Sequence, residues 1–332
     1  MRPILPDNVV ARPRAGRHRG PVDLPAGCTS RPATPGDLAD CLTLVLAVDV
    51  EEYGVPDYEE ADVRDDWSRE RFDLARDSVL VHDATGALIG YAHTWDKQPH
   101  VLVQGEVYAH PDGPDLYPWL VDAVARRSAE HAAATPATTT THVFTSEPNK
   151  RRAAALTGAG FDLVRVFRRM AADLAAPPPA PETPPGVTIR RVTEHDLRTC
   201  WEITQRSFAE HFDFVPGTYD EWYGRMVATE TYRPQYWWLA DVDGVPSGLL
   251  IGQRHEEDGW VKTLGVLPSA RGRGAGTALL LTAFAAFRED GAPRVGLGVD
   301  SANTTGAIAL YERIGMRAEQ RYDCYERVFT RS

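Results

Sequence analysis

The sequence predicts two consecutive domains of mixed α/β class, in which short strands alternate with amphipathic helices. Three observations carry this. At 332 residues the chain is longer than one ordinary domain of roughly 100–200 residues and fits two. The stretch 175–186, AAPPPAPETPPG, holds six prolines in twelve residues, which excludes a helix interior or a central strand and reads as a stiff linker. The segments on either side run through the same order of elements, an internal repeat of about 145 residues, too long for a solenoid period. The expected layout is a tail at 1–27, a first domain at 28–174, the linker at 175–186 and a second domain at 187–332.

In the second half, VTIRRVTEHD reads as a strand followed by a polar helix start. Leu197, Trp201, Ile203 and Phe208 then fall on one helix face. An aromatic-rich helical patch lies around 219–227. YWWLADVDGVPSGLLIGQRHEEDGWVKTLGVLP reads as three strands, with turn signals at Asp243-Gly244 and Asp258-Gly259. A helix is expected at 274–288, a strand at 294–299, a helix at 305–314 and a strand pair at 316–329. The first half repeats the series. TSRPATPGDLADC parallels the opening strand and its Thr cap. A hairpin turning at Thr85-Gly86 follows, and VLVQGEVYAHPDG parallels WVKTLGVLPSARG. A helix (116–131), a strand (140–145), a helix (150–157) and GFDLVRVFRRM complete the set.

Composition bounds the function classes. Hydrophobic residues make up 43% and charged residues 25%, enough for packed cores. A net charge of -11 argues against a nucleic-acid partner, whose phosphates need a basic face, and leaves room for amine-bearing ones. Cys28, Cys41, Cys200 and Cys324 stand far apart, with no CxxC or Cys/His ligand spacing. Neither a disulfide scaffold nor a metal site is expected, and reduced thiols in a cytoplasmic protein are. The N-terminal segment lacks the apolar core of a secretory signal. The longest apolar run, 278–287, falls short of the ~20 residues that cross a bilayer, so no membrane partner is expected. Residues 1–27, with five arginines and five prolines, read as a disordered tail.

The most informative segment is 261–280, VKTLGVLPSARGRGAGTALL. An apolar strand ends at Val266-Leu267-Pro268, and the loop Arg271-Gly272-Arg273-Gly274-Ala275-Gly276 opens directly into an apolar helix. Glycines let successive backbone N–H groups converge without Cβ obstruction. The helix start adds unpaired N–H groups and partial positive charge. Together they make a pyrophosphate seat, with Arg271 and Arg273 able to add charge at its rim. A Walker loop needs Gly-Lys-Ser/Thr and a dinucleotide fingerprint needs GxGxxG; neither is present. On this segment alone, a tight arginine-rich turn of purely structural role stays open. Farther on, GLGVDSANTTGAIALYERIGM runs from a strand through Asn303 into a helix carrying Tyr311 and reaches Gly315.

With these two segments in this order, the second half resembles the GNAT superfamily of N-acetyltransferases over about 140 residues. The tandem arrangement with one worn copy resembles actinobacterial tandem acetyltransferases of the mycothiol synthase type. The resemblance implies two tandem GNAT-like domains, each a central mixed, mostly antiparallel sheet flanked by helices, with the fourth and fifth strands splayed. It implies acetyl-CoA as co-substrate and no metal. The backbone at Leu264 and Val266 is expected to pair with the pantetheine amides. The loop amides of Arg271, Gly272, Arg273, Gly274, Ala275 and Gly276 are expected to hold the diphosphate. Asn303 is expected to bond the cofactor arm, a helix N-cap being the equal alternative. Tyr311 is expected near the sulfur as the catalytic acid, a core aromatic being the alternative. Many relatives carry a carboxylate on the fourth strand, but Trp260-Val261-Lys262-Thr263-Leu264 has none. Glu256, Glu257 and Asp258 in the preceding turn, His255 and Asp300 are further candidates, and the base stays unassigned.

The first copy departs from this pattern at its loop, Ala109-His110-Pro111-Asp112-Gly113-Pro114-Asp115-Leu116. The arginines are gone, two aspartates stand where phosphates would go, and Pro114 removes a donor. Leu156 holds the Tyr311 position, and Asn149 lies within one residue of the Asn303 position. A structural role is expected for this copy, with cofactor binding by both domains as the alternative. Residues 37–77 carry fourteen acids and four arginines, read as solvated helix faces that could also attract a cationic acceptor. Phe208, His211, Phe212, Phe214, Tyr219, Trp222 and Tyr223 crowd the corresponding region of the second half, as core or as walls of an acceptor pocket. The expected activity is acetyl transfer to the primary amine of a small molecule. The alternatives are a peptide acceptor and a non-catalytic acyl-CoA sensor.

Overall fold

Two strands, rather than the proline-rich stretch, mark where the chain passes from one unit to the other. The computed structural model describes residues 22–56, 58–176, 179, 183–212, 214–255, 257–303 and 305–331. It forms two compact units, Met1–Val166 with Tyr322–Ser332, and Phe167–Arg321. The first unit is thus built from two separate pieces of chain, and the second is a single piece that begins within the strand before the prolines rather than after them.

The first unit runs through β1 (Thr29–Arg31), α1 (Leu38–Tyr53), α2 (Glu60–Trp67), α3 (Leu74–Asp77), β2 (Ser78–His82), β3 (Leu88–Gln98), β4 (Leu102–Ala109), α4 (Tyr117–Ala133), β5 (Thr139–Ser146) and α5 (Lys150–Gly158). The next strand, β6 (Asp162–Asp173), leads into the second unit. There follow β7 (Val187–Arg191), α6 (Leu197–Phe208), α7 (Tyr219–Met226), β8 (Trp237–Val242), β9 (Val245–His255), β10 (Asp258–Val266), α8 (Ala275–Glu289), β11 (Arg294–Asp300) and α9 (Ala307–Arg313). Finally β12 (Arg317–Phe329) carries the chain back into the first unit.

The sheet of the first unit has the order β1-β2-β3-β4-β5-β12. It is antiparallel except for the β4–β5 pair. That of the second unit has the order β7-β8-β9-β10-β11-β6, antiparallel except for β10–β11. The last place in each sheet is therefore filled from the other half of the sequence. The expected strand pair at 316–329 is one strand, since 317–329 contains no Gly, Pro or Asn to turn it.

The duplication is visible at the helix entries. Asp37 accepts hydrogen bonds from the Thr34 N–H (2.8 Å) and hydroxyl (2.7 Å) and from Arg31 Nη1 (2.8 Å). Asp196 accepts the same set from Thr193 and Arg190. Both carboxyls are held below the usual range, first by the arginine, Asp196 at about 2. Of the expected tail, residues 1–21 lie outside the described residues, while Val22 and Leu24 pack on the first core. Linker residues 177–178 and 180–182 also lie outside the described residues.

In the second unit α8 packs into the main core cluster. Leu279, Leu280, Phe284 and Phe287 are buried against β8–β11 residues such as Leu250, Val261 and Leu297. Each such side chain contributes about 1.5–3 kcal/mol on burial. The Asp243-Gly244 turn forms as expected, with φ of 50° and 80°. Gly259 is not a turn residue; it lies inside β10, paired with Arg254. A Cβ there would stand 2.5 Å from the Phe287 ring, so the glycine lets α8 seat on the sheet. Gly259→Ala is expected to cost about 1–3 kcal/mol, read as a lower urea midpoint at unchanged slope. An unchanged midpoint would remove the close-approach explanation.

Candidate active site

In the second unit β10 and β11 pair at Gly259–Val295, Trp260–Gly296 and Val261–Leu297 and, among the described residues, no further. Beyond that point β10 runs on to Val266 held by β9, while β11 runs on to Asp300 held by β6. A register shift between Val261 and Thr263 lies where the strands part, as a bulge would, bending the strand and leaving its edge unpaired. The parting opens a cavity of about 680 Å³, within the range of small-molecule sites. Its walls are the edges of β10 and β11, the start of α8, α9, and the end of α6 with the residues after it.

The loop into α8 is shaped by Gly274, the helix N-cap, at φ 80°. A Cβ on Gly274 would also stand 2.6 Å from Pro184, at the end of the proline-rich stretch. The amides that follow are the unpaired N–H groups of a helix start. Leu264, Val266, Arg271, Gly272, Gly274, Ala275, Gly276, Asn303 and Tyr311 all line the cavity. The Arg273 side chain turns elsewhere and forms a two-pronged pair with Asp243, at 2.9 and 3.1 Å. Asn303 is not the N-cap of α9, a place taken by Gly306 at φ 77°. Its Oδ1 instead accepts the Thr305 N–H at 2.7 Å, holding the loop before the helix.

Tyr311 is buried, and burial pushes its phenol up to about 12. His211 lines the same cavity, and burial, then the charge of Arg271, lowers its imidazole below the ordinary value, with Asp300 opposing. Asp300 is itself on the wall. Glu257 and Asp258 stand at the opposite end of β10 from Val266. Glu256 and the His255 side chain lie outside the described residues. Of the aromatic set, Phe208, His211 and Phe212 reach the cavity, whereas Trp222 is core and Tyr219 packs on that core.

Among the wall residues that the sequence reading gave no site role are Phe167, Ser207, Lys262 and Arg313. Phe167 comes from β6 and is 6.2 Å from Phe212, ring to ring. No local pattern says that β11 pairs with a strand from the first half. Ser207 is among the lining residues; its hydroxyl is buried, has no hydrogen-bond partner among the described residues, and lies against Gly265 of β10, where a Cβ would stand 2.3 Å from it. A strand edge and a glycine-lined helix start together fit an acyl-CoA thioester.

The first unit has the same frame. Its β4 and β5 pair from Leu102–Thr140 to Gly105–Val143 and no further among the described residues. The elements that line the cavity in the second unit are here joined by a buried network. Arg152 on α5 pairs with Glu52 on α1 at 2.9 Å, both side chains under a tenth exposed. Its guanidinium lies over the rings of Tyr108 on β4 (5.7 Å) and Tyr117 on α4 (5.4 Å). Asn149 ties Glu52 to the Tyr117 hydroxyl at 2.6 and 2.7 Å. Leu156, at the Tyr311 position, is fully buried.

Parted parallel strands, a glycine-rich entry to the next helix and a buried tyrosine on the following one define an acyl-CoA-dependent transferase frame. Residues 197–316 match the model of the Acetyltransferase (GNAT) family. The chain is similar to a mycothiol acetyltransferase of Salinispora arenicola (strain CNS-205), 30% identical over 310 residues, covering 88% of this chain and 94% of that protein. It is also similar to the solved GCN5-related N-acetyltransferase from Sphaerobacter thermophilus, 30% identical with a TM-score of 0.79, covering 92% of this chain and 97% of that one. A tandem GNAT protein from the clavulanic acid biosynthesis pathway shares the fold at a TM-score of 0.67 and 16% identity, covering 91% and 98%. The chain belongs to the GNAT family and is an acetyl-CoA-dependent acyltransferase built of two tandem GNAT-like domains. Among the described residues no helix is long and apolar enough to cross a membrane.

Gly274→Ala strains a left-handed backbone and presses on Pro184. It is expected to cost about 1–3 kcal/mol of stability and to weaken acetyl-CoA binding by about tenfold or more in calorimetry. Full affinity in a folded variant would detach this turn from cofactor binding.

Proposed function

We propose that this enzyme moves the acetyl group of acetyl-CoA to the primary amine of a small molecule by direct attack on the thioester carbonyl. The observation that carries the reading is the space between β10 and β11, open in the second unit while its counterpart in the first is bridged by Arg152 and Glu52. Acetyl-CoA supplies the activated acyl group and its thiol leaving group. The edge of β10 released from β11, at Leu264 and Val266, aligns the pantetheine arm, and an N–H of that edge stabilises the oxyanion. The loop from Arg271 to Gly276 holds the diphosphate through its amides, Arg271 adding charge from its side chain and Arg273 contributing its backbone only. Asn303 fixes the loop that borders the cofactor arm.

Tyr311 acts at the sulfur. Its phenol, at about 12, lies well above an ordinary thiol near ~8.5. It therefore keeps its proton and donates a hydrogen bond to the departing thiolate rather than surrendering the proton outright. His211 takes the place of the missing strand carboxylate. Its lowered pKa leaves the imidazole neutral at pH 7, ready to accept the proton that the amine must lose.

Phe167, Phe208 and Phe212 give the acceptor end apolar walls. The name of the similar Salinispora protein makes a mycothiol-related amine the first acceptor to try. The first unit has a structural role and takes no acetyl-CoA. The free cysteines support operation in a reducing cytoplasm.

Tyr311→Phe is expected to lower kcat by ~10²-fold with a KM for acetyl-CoA within about threefold, in a thiol-release assay across an amine panel. Unchanged turnover would exclude Tyr311 from the reaction. The base must be neutral to work, so kcat/KM is expected to hold across neutral pH and to fall only below about 6.5, with His211→Asn losing that limb. The same limb in the variant would assign the base elsewhere. Calorimetry is expected to give one acetyl-CoA per chain; two would overturn the reading of the first unit.

A further inference from the structure

In the first unit, away from the Arg152 network, three ligand-type side chains converge from three elements. Asp96 lies near the end of β3, His100 in the turn to β4 and His131 in the last turns of α4. The two Nδ1 atoms are 2.9 Å apart, and each lies 3.7 Å from Asp96 Oδ2. The circle through these three atoms has a radius of about 2.0 Å, so a point just off their plane is about 2.1 Å from all three. That is the distance at which zinc takes imidazole nitrogen and carboxylate oxygen. The mean separation, about 3.4 Å, is the edge of a tetrahedron of that size.

The backbone is bent to bring His100 there. Gln98 O accepts the Val101 N–H at 2.8 Å, closing a turn with Pro99 second and His100 third at φ 56°, a place that favours glycine. The Asp96 carboxylate accepts the His100 N–H at 2.8 Å, and the Thr139 hydroxyl donates to the His100 carbonyl at 2.6 Å. Asp96 and His131 are buried, while the His100 side chain is 43% exposed, which leaves a fourth position toward solvent.

We propose that Asp96, His100 and His131 form a three-ligand site for a divalent cation of the zinc class, clamping the β3–β4 turn to α4. Two neutral imidazoles and one carboxylate make a borderline donor set that suits Zn(II) or Co(II) and is poor for calcium or magnesium. Binding needs the lone pair of both Nδ1 atoms, which face each other across the proposed cation position. The ligands lie in no short motif, since His131 is thirty-one positions after His100 and is joined to it only by the packing of α4.

The test uses the untagged full chain, stripped with chelator and titrated with zinc chloride, with cobalt as the optical probe. One tight equivalent, tetrahedral cobalt bands and a Tm rise of about 5–10 °C at zinc 100-fold above its Kd are expected. His100→Gly removes a ligand and relieves the positive φ, so the variant folds at least as well; a ≥100-fold loss of zinc affinity is expected, and likewise in His131→Gln. Absence of tight binding, or equal affinity in wild type and His100→Gly, overturns the proposal and leaves adventitious capture by other histidines.

Discussion

The second unit turns on the parting of β10 from β11. Parallel strands joined by ladder bonds leave no room for a ligand, because their backbone groups are already satisfied. Here the ladder stops after Val261–Leu297. From there each strand keeps its outer neighbour while its inner edge is released, and α8 and α9 begin where the two edges face each other. The exposed amides, the glycine turn and the buried tyrosine converge because they belong to elements that diverge from one point. A packed α/β core thereby opens a cleft between its own strands.

The same frame occurs in the first unit, where side chains bridge the elements that line the cavity of the second. The strand parting is retained there. A guanidinium from the helix corresponding to α9 pairs with a carboxylate from the helix corresponding to α6, over two tyrosine rings. Such a buried charged network is costly to open, because freeing one partner leaves the other unpaired in a low-dielectric interior.

Most of the fold was legible because its signals are local. The Asp243-Gly244 turn, the helix starts with Thr and Asp, and the glycine loop each depend on a few neighbouring residues. The repeated Arg-x-x-Thr-x-x-Asp set at 31–37 and 190–196 carries the duplication in both sequence and hydrogen bonds. What was hidden depends on distant contacts. Gly259 looks like a turn residue until Phe287 is packed over it. Phe167 looks like part of the first domain until β6 pairs with β11. Arg273 looks like a cofactor ligand until Asp243 claims it. No sequence period encodes which side chain of a basic pair will find a nearer acid.

The exchange of β6 and β12 between the units bears on how this polypeptide is made. The partner of β5 along one side is 322–329, which is synthesised last, so the leading half cannot complete its native sheet before the chain is finished. Until then that edge is open to β6 or to another chain. Cutting at the prolines parts each sheet from its native last strand and leaves it to pair with the spare strand of its own half.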